Sequence, residues 1–138
     1  MKSTGDLLDV LKKKDSYEEI IEAEPDFFDL TLAEYLAQLI DEKKLKKAVI
    51  IAESGLERTY AYQIFSGKKL PKRDKLLALA FGMQLTYEET QTLLKVNEYA
   101  QLYPKNRRDS MIIFALNKGQ SIFELNETLF SMGEHTIT

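Results

Sequence analysis

Residues 45–71 read LKKAVIIAESGLERTYAYQIFSGKKLP, and this stretch decides the fold. It parses as two short helices joined at Gly55 and closed by a Gly-Lys-Lys loop that ends at Pro71. A sharp turn between two helices needs a residue that accepts positive φ at the corner, and Gly accepts it without a Cβ clash. Residues 48–52 are the only run that could pass for a strand. Their shortness and charged flanks favour a buried helical turn instead.

Charge gathers on the same stretch. The chain as a whole carries a formal −3 over 138 residues. Within 43–75, however, ten basic side chains (Lys43, Lys44, Lys46, Lys47, Arg58, Lys68, Lys69, Lys72, Arg73, Lys75) face only Glu53, Glu57 and Asp74, a local +7. The remainder is therefore −10, and residues 1–42 alone are −8. A polyanion is drawn to one face of such a molecule and repelled from the rest, so an acidic pI does not exclude nucleic acid.

Working outward, Pro25 and Pro104 mark seams. They divide the chain into an acidic N-terminal helical extension (1–28), a central helix-turn-helix domain (29–103) and a C-terminal helical hairpin (104–138) with Gly119 at its corner. Ser/Thr-x-x-Glu boxes at Ser16 and Glu19, Thr31 and Glu34, Thr86 and Glu89, and Ser121 and Glu124 each precede apolar residues at helical spacing. In such a box the hydroxyl and the carboxylate cap the helix start reciprocally. After Thr31, the set Leu32, Tyr35, Leu36, Leu39 and Ile40 makes one apolar stripe of an amphipathic helix. Similar sets follow at Leu76, Leu77, Leu79 and Ala80, at Leu93 and Leu94, at Met111, Ile112, Ala115 and Leu116, and at Ile122, Leu125 and Leu129. The fold class expected is all-α.

The stretch from about Thr31 to Glu89 resembles the Xre-type helix-turn-helix family of phage repressors and bacterial regulators. Leu45, Gly55, Leu56, Arg58, Thr59, Ile64, Gly67, Lys68, Pro71, Leu76, Leu77 and Ala80 carry the likeness. It implies a five-helix repressor-like core whose second turn helix, about residues 57–65, lies in the major groove of double-stranded DNA. Carried over position by position, Arg58, Thr59, Tyr62 and Gln63 fall at or beside base-reading positions. Arg58 suits guanine, Gln63 suits adenine, and Thr59 suits a thymine methyl or a phosphate. Lys46, Lys47, Lys68, Lys69, Lys72 and Arg73 fall on the phosphate-facing rim, where they set register and affinity rather than sequence preference. Where relatives favour Ala near 51 and a β-branched residue near 61, this chain has Ile51 and Ala61, an exchange that conserves volume if the two face each other. Phe65 replaces a frequent Glu, and Glu57 puts a carboxylate at the start of the reading helix, which suits the helix dipole but not a nearby phosphate.

One short reading helix buries little surface, so the resemblance implies a homodimer on half-sites about 34–36 Å apart. The hairpin or the acidic N-terminal segment is the natural dimerisation element. The alternative reading is a protein-interaction or adaptor module on the same fold, with the aromatic face Tyr60, Tyr62 and Phe65 as its anchor.

Other chemistry finds little support. With no Cys, a disulfide, a thiolate metal site and a cysteine nucleophile are all excluded. His135 is the sole histidine, and the carboxylates Glu18, Glu19, Glu22, Glu24 and Asp26 read as a solvated helix face rather than a metal or acid–base cluster. No phosphate loop, nucleophile elbow or metal-ligand spacing occurs. The expectation is a non-enzymatic, cytoplasmic protein with no metal, cofactor or small-molecule substrate. Lys105, Arg107 and Arg108 read equally as a second phosphate contact, a partner contact or plain surface charge. Tyr99, Tyr103, Phe114, Phe123 and Phe130 read as core and hairpin packing.

Overall fold

The computed structural model describes residues 31–138, and these form seven helices with no strand. They are α1 (Leu32–Lys43), α2 (Lys47–Ser54), α3 (Arg58–Phe65), α4 (Arg73–Gly82), α5 (Tyr87–Val96), α6 (Arg107–Lys118) and α7 (Ile122–Ser131). The expected N-terminal helical extension, 1–28, and the box at Ser16 and Glu19 lie outside the described residues.

The helix starts follow their side chains. At Thr86 and Ser121 the box is complete: each hydroxyl accepts the N–H of the Glu three residues on, and that carboxylate accepts the cap's own N–H. Thr31 forms half of it. Its hydroxyl accepts the Glu34 N–H at 3.2 Å but donates its own proton to Glu34 Oε1 at 3.1 Å. Asn106 caps α6 and Glu57 caps α3. Lys46 and Lys72, at the starts of α2 and α4, make no side-chain cap.

α4 is the centre of the molecule. Every residue from Leu76 to Gly82 is buried, so α4 has no solvent-facing stripe in its last two turns. α2 packs along it more extensively than any other pair of helices meets. Gly82 makes that approach possible: a Cβ there would sit 2.5 Å from the Ile50 carbonyl oxygen and 2.9 Å from Ser54 Cβ. Ile51 and Ala61 are both buried.

The C-terminal hairpin is built into the same core. Ile112, Ala115, Ile122, Leu125, Leu129 and Ile137 join the cluster that begins at Leu32. Two Arg-Asp dipeptides then exchange partners across the molecule. Arg73 of α4 donates to both carboxylate oxygens of Asp109 on α6, at 3.2 and 3.1 Å. Arg108 of α6 returns the same fork to Asp74 of α4, at 3.1 Å on each side. Planar forks of this kind fix orientation as well as distance. Arg73 also donates to the Ala100 carbonyl, and Arg108 to the His135 and Thr136 carbonyls, so the α5–α6 connection and the C-terminal residues are held by the same clamp.

The aromatic residues of the hairpin correct the sequence expectation. Tyr103, Phe114, Phe123 and Phe130 are exposed rather than packed inside, with Phe130 80% exposed. Hydrophobicity alone does not tell which side of a helix a ring faces. Here the buried stripe of α7 is already filled by Ile122, Leu125 and Leu129.

Candidate nucleic-acid interface

The corner between α2 and α3 is fixed by three local devices. Gly55 takes φ +71° at the end of α2. Ser54, fully buried, donates its hydroxyl to the Ile51 carbonyl at 2.8 Å and accepts the Leu56 N–H at 3.2 Å, so the turn leaves neither backbone group unpaired. The Phe123 ring and the Thr138 hydroxyl of the C-terminal region come within 3.4 Å of where a Cβ on Gly55 would stand. The corner is thus both turned by its own residues and covered from behind.

α3 then starts on Glu57, whose carboxylate accepts the N–H groups of Thr59 and Tyr60 at 2.9 and 2.8 Å. Those two backbone donors, Tyr60 first, hold the Glu57 carboxyl below the usual glutamate range. The cap therefore takes the carboxylate down onto the helix end, where it is already bonded to backbone N–H groups.

α3 buries Ala61 and Ile64 and turns its other face out. Arg58, Thr59 and Tyr62 are exposed and Gln63 is half-buried. All four line one shallow, open concavity of about 560 Å³, together with Lys47, Phe65, Ser66 and Lys68. The four residues proposed from sequence as base-reading thus share one surface.

That surface has its own internal order. The Arg58 guanidinium lies over the Tyr62 ring at 5.7 Å, Tyr62 meets Phe65 edge-on at 6.3 Å, and Lys47 Nζ lies over Phe65 at 5.6 Å. Cation, ring, ring and cation run in sequence across the groove. Ring faces are electron-rich and hold cations by electrostatic attraction, so the two bases are stationed rather than left to sweep freely. Phe65 is what makes the second half of this chain of contacts. Tyr60 and Phe65 both lean on the core and are half-buried. Of the aromatic face proposed from sequence, Tyr62 alone is exposed, and Tyr62 and Phe65 line the groove while Tyr60 does not.

The rim divides. Lys46, Lys47, Lys68, Lys69 and Lys72 are exposed. The loop that presents Lys68 and Lys69 is tied back by their own N–H groups to the Gln63 carbonyl, at 2.9 and 3.2 Å, beyond Gly67 at φ +85°. Tyr99 donates its hydroxyl to the Pro71 carbonyl and pins the far end of the same loop. Arg73 does not belong with these lysines. Its guanidinium is occupied by Asp109 and two backbone carbonyls, so it acts in the core clamp and not at the rim. Arg108 is used likewise, and Arg107 pairs with Glu134 at 3.1 Å. Sequence gave no sign of these pairings, because the partners lie 27 or more positions away.

One feature of the interface escaped the sequence reading. The two helices whose starts lack a side-chain cap, α2 and α4, are those that begin at Lys46 and Lys72. An uncapped helix start leaves N–H groups pointing outward and favours an anion. The signal was available in sequence as the missing Ser, Thr, Asn or Asp before each helix.

No group of three or more His, Asp or Glu side chains suited to a metal ion occurs among the described residues. No described helix is long and apolar enough to cross a membrane. No family model matches the chain, and neither a curated protein nor a solved structure matches it.

Proposed function

We propose that this protein binds double-stranded DNA sequence-specifically as a helix-turn-helix regulator, with α3 entering the major groove. The observation that carries the reading is the gathering of Arg58, Thr59, Tyr62 and Gln63 into one open groove rimmed by Lys47 and Lys68. The order α1 to α5, with α2 and α3 meeting at Gly55 and a basic loop after α3, supports a five-helix repressor-like core. Arg58, poised over Tyr62, has the planar fork for guanine O6 and N7, and Gln63 the paired donor and acceptor for adenine. Lys46, Lys47, Lys68, Lys69 and Lys72, with the open starts of α2 and α4, take phosphates on either side. The working form is a homodimer, and exposed Phe114, Phe130 and Met132 on the hairpin supply apolar surface for it.

Selection of bound duplexes from a random pool at near-physiological salt tests the reading. A defined consensus should emerge. If all five lysines face phosphate, log K should fall against log salt with a slope of about −4.5 per protomer. Arg58→Ala should relax the preference at one base pair by about 1–3 kcal/mol, while Lys69→Ala should weaken all duplexes alike. A protein that ignores every duplex in dilute buffer would sink the proposal.

A second reading has an observation of its own. Exposed Tyr62 meets half-buried Phe65 edge-on in the groove, and tyrosine is enriched among the anchors of protein interfaces. On that reading Tyr62→Ala abolishes capture of a protein partner and leaves duplex affinity unchanged.

A further inference from the structure

The loop that leaves α3 carries an apolar tip that the groove does not use. Leu70 is 81% exposed, the most exposed large apolar side chain among the described residues. Its neighbours Lys68, Lys69 and Lys72 are exposed cations, and no carboxylate occurs between Glu57 and Asp74. A single exposed leucine is ordinary, but this one is held in place from both sides. Before it, the Lys68 and Lys69 N–H groups donate to the Gln63 carbonyl at 2.9 and 3.2 Å, and the Gly67 N–H donates to the Ile64 carbonyl at 3.1 Å. After it, Pro71 is buried and its carbonyl accepts the Tyr99 hydroxyl at 2.9 Å. α4 then opens at Lys72 with no side-chain cap, which leaves backbone donors for an anion.

A fixed apolar tip set among anion-binding groups fits a surface that is charged outside and apolar within. A duplex has that order, with phosphates on its rim and base faces stacked behind them. A lipid surface has it too, but one leucine offers little apolar area for holding a protein there. The placement also favours the duplex. Lys69 N lies 3.2 Å from the carbonyl of Gln63, a residue of the α3 groove, so the Leu70 Cα stands within about 9 Å of that helix. With α3 in the major groove, the chain leaving its end crosses the bordering strand, and the minor groove, about 6 Å wide, opens beyond it.

We propose that Leu70 is a wedge that enters this minor groove, parts one base step and kinks the duplex. The inference rests on α3 reading the major groove and adds what the loop beyond it does to the DNA. Apolar side chains inserted in this way bend DNA by about 20–90° toward its major groove, here away from the loop. Lys68, Lys69 and Lys72 hold phosphates beside the opened step and offset the lost stacking. Steps that unstack easily, TA and CA/TG, accept the wedge best. Leu70 thereby adds sequence preference at a position that no side chain reads by hydrogen bonds.

The test uses the full chain and the duplex most enriched by selection from a random pool. The parent is compared with Leu70→Ala and with Leu70→Met, which keeps an apolar wedge. Energy transfer between dyes on the duplex ends reads the bend, and 2-aminopurine placed in turn at each flanking adenine reads unstacking. The parent should bend the duplex by at least about 20° and raise the fluorescence at one step. Leu70→Met should keep both effects. Leu70→Ala should fold as the parent does by circular dichroism and bind with the same salt slope, because the lysines remain, yet lose the bend and the fluorescence rise. Replacing the opened step by a stiff A-tract should weaken the parent about fivefold or more and leave Leu70→Ala unchanged. A duplex that is bound straight by the parent, or bent equally by Leu70→Ala, overturns the wedge while the DNA reading stands. Failure of every form to bind any duplex removes the DNA reading and the wedge together. Loss of self-association, or of binding to phosphatidylserine vesicles, in Leu70→Ala with duplex shape unchanged also overturns the wedge and assigns the leucine to a second copy or to lipid.

Discussion

Replacing Gly82 with Ala sets two physical effects against each other with opposite signs. Gly82 closes α4, and helix propensity favours Ala over Gly by up to about 1 kcal/mol, so a sequence-only view expects stabilisation. The structure places the new methyl 2.5 Å from the Ile50 carbonyl oxygen, 2.9 Å from Ser54 Cβ and 3.1 Å from Ser54 N. Carbon–oxygen contacts settle near 3.3 Å or more, so α2 would have to retreat by about 0.8 Å. Two of the three neighbours are backbone atoms of α2, which no rotamer change can clear. Overpacking of this kind costs typically 1–3 kcal/mol. The cost exceeds the propensity gain, and a net loss of about 1–2 kcal/mol is expected. Urea unfolding of the full chain, followed by far-ultraviolet circular dichroism, measures it. Because α2 carries Lys47 and leads into the Gly55 corner, the proposed duplex binding should weaken as well. A variant as stable as the parent, or more so, would refute the claim that α2 and α4 meet backbone to side chain at this point.

Three further outcomes follow from the same geometry. Asp109→Ala removes the partner of a partly buried guanidinium and the acceptor of the Tyr103 N–H; urea unfolding should show a loss of about 2–4 kcal/mol, and under 1 kcal/mol would mean that the crossed clamp holds little. Glu57 contributes to α3 only while ionised. Its carboxyl is held below the ordinary glutamate range by the Tyr60 and Thr59 N–H groups, so this contribution is complete above that range and disappears as pH falls through the lowered value. Amide exchange protection at Thr59 and Tyr60 should therefore drop selectively in acid, and Glu57→Gln should flatten that dependence. If the proposed homodimer forms through the hairpin, Phe130→Asp, at an 80% exposed position, should leave thermal stability unchanged but weaken self-association at least about 30-fold by sedimentation, about 2 kcal/mol at an interface anchor; unaltered self-association would overturn the hairpin interface.

Sequence by itself determined the capped helix starts and the turns at glycine, whereas the left-handed corners at Lys44, Gln84 and Glu98 carried no such mark. The cap hydroxyls, the apolar spacing and the glycines at 55, 67 and 119 act through neighbours within four or five positions, so their effects survive any tertiary arrangement. The outward residues of α3 came from the resemblance, carried over position by position; that Ala61 and Ile64 fill its buried side is what the structure adds. Tertiary structure decided what depends on distant partners. Arg73 reads like Lys72 beside it, but only the former finds a carboxylate across the molecule. Phe114 and Phe130 read as core, yet the space behind α6 and α7 is already filled. Gly82 passes for a mild helix-weakener until α2 is laid against it. Charge and ring contacts between Lys47 and Phe65 likewise exist only once two helices have met at an angle that no local rule specifies. Local geometry is encoded in short spacings, whereas the use of each charge and ring is set by which surfaces the folded chain brings within a few ångströms.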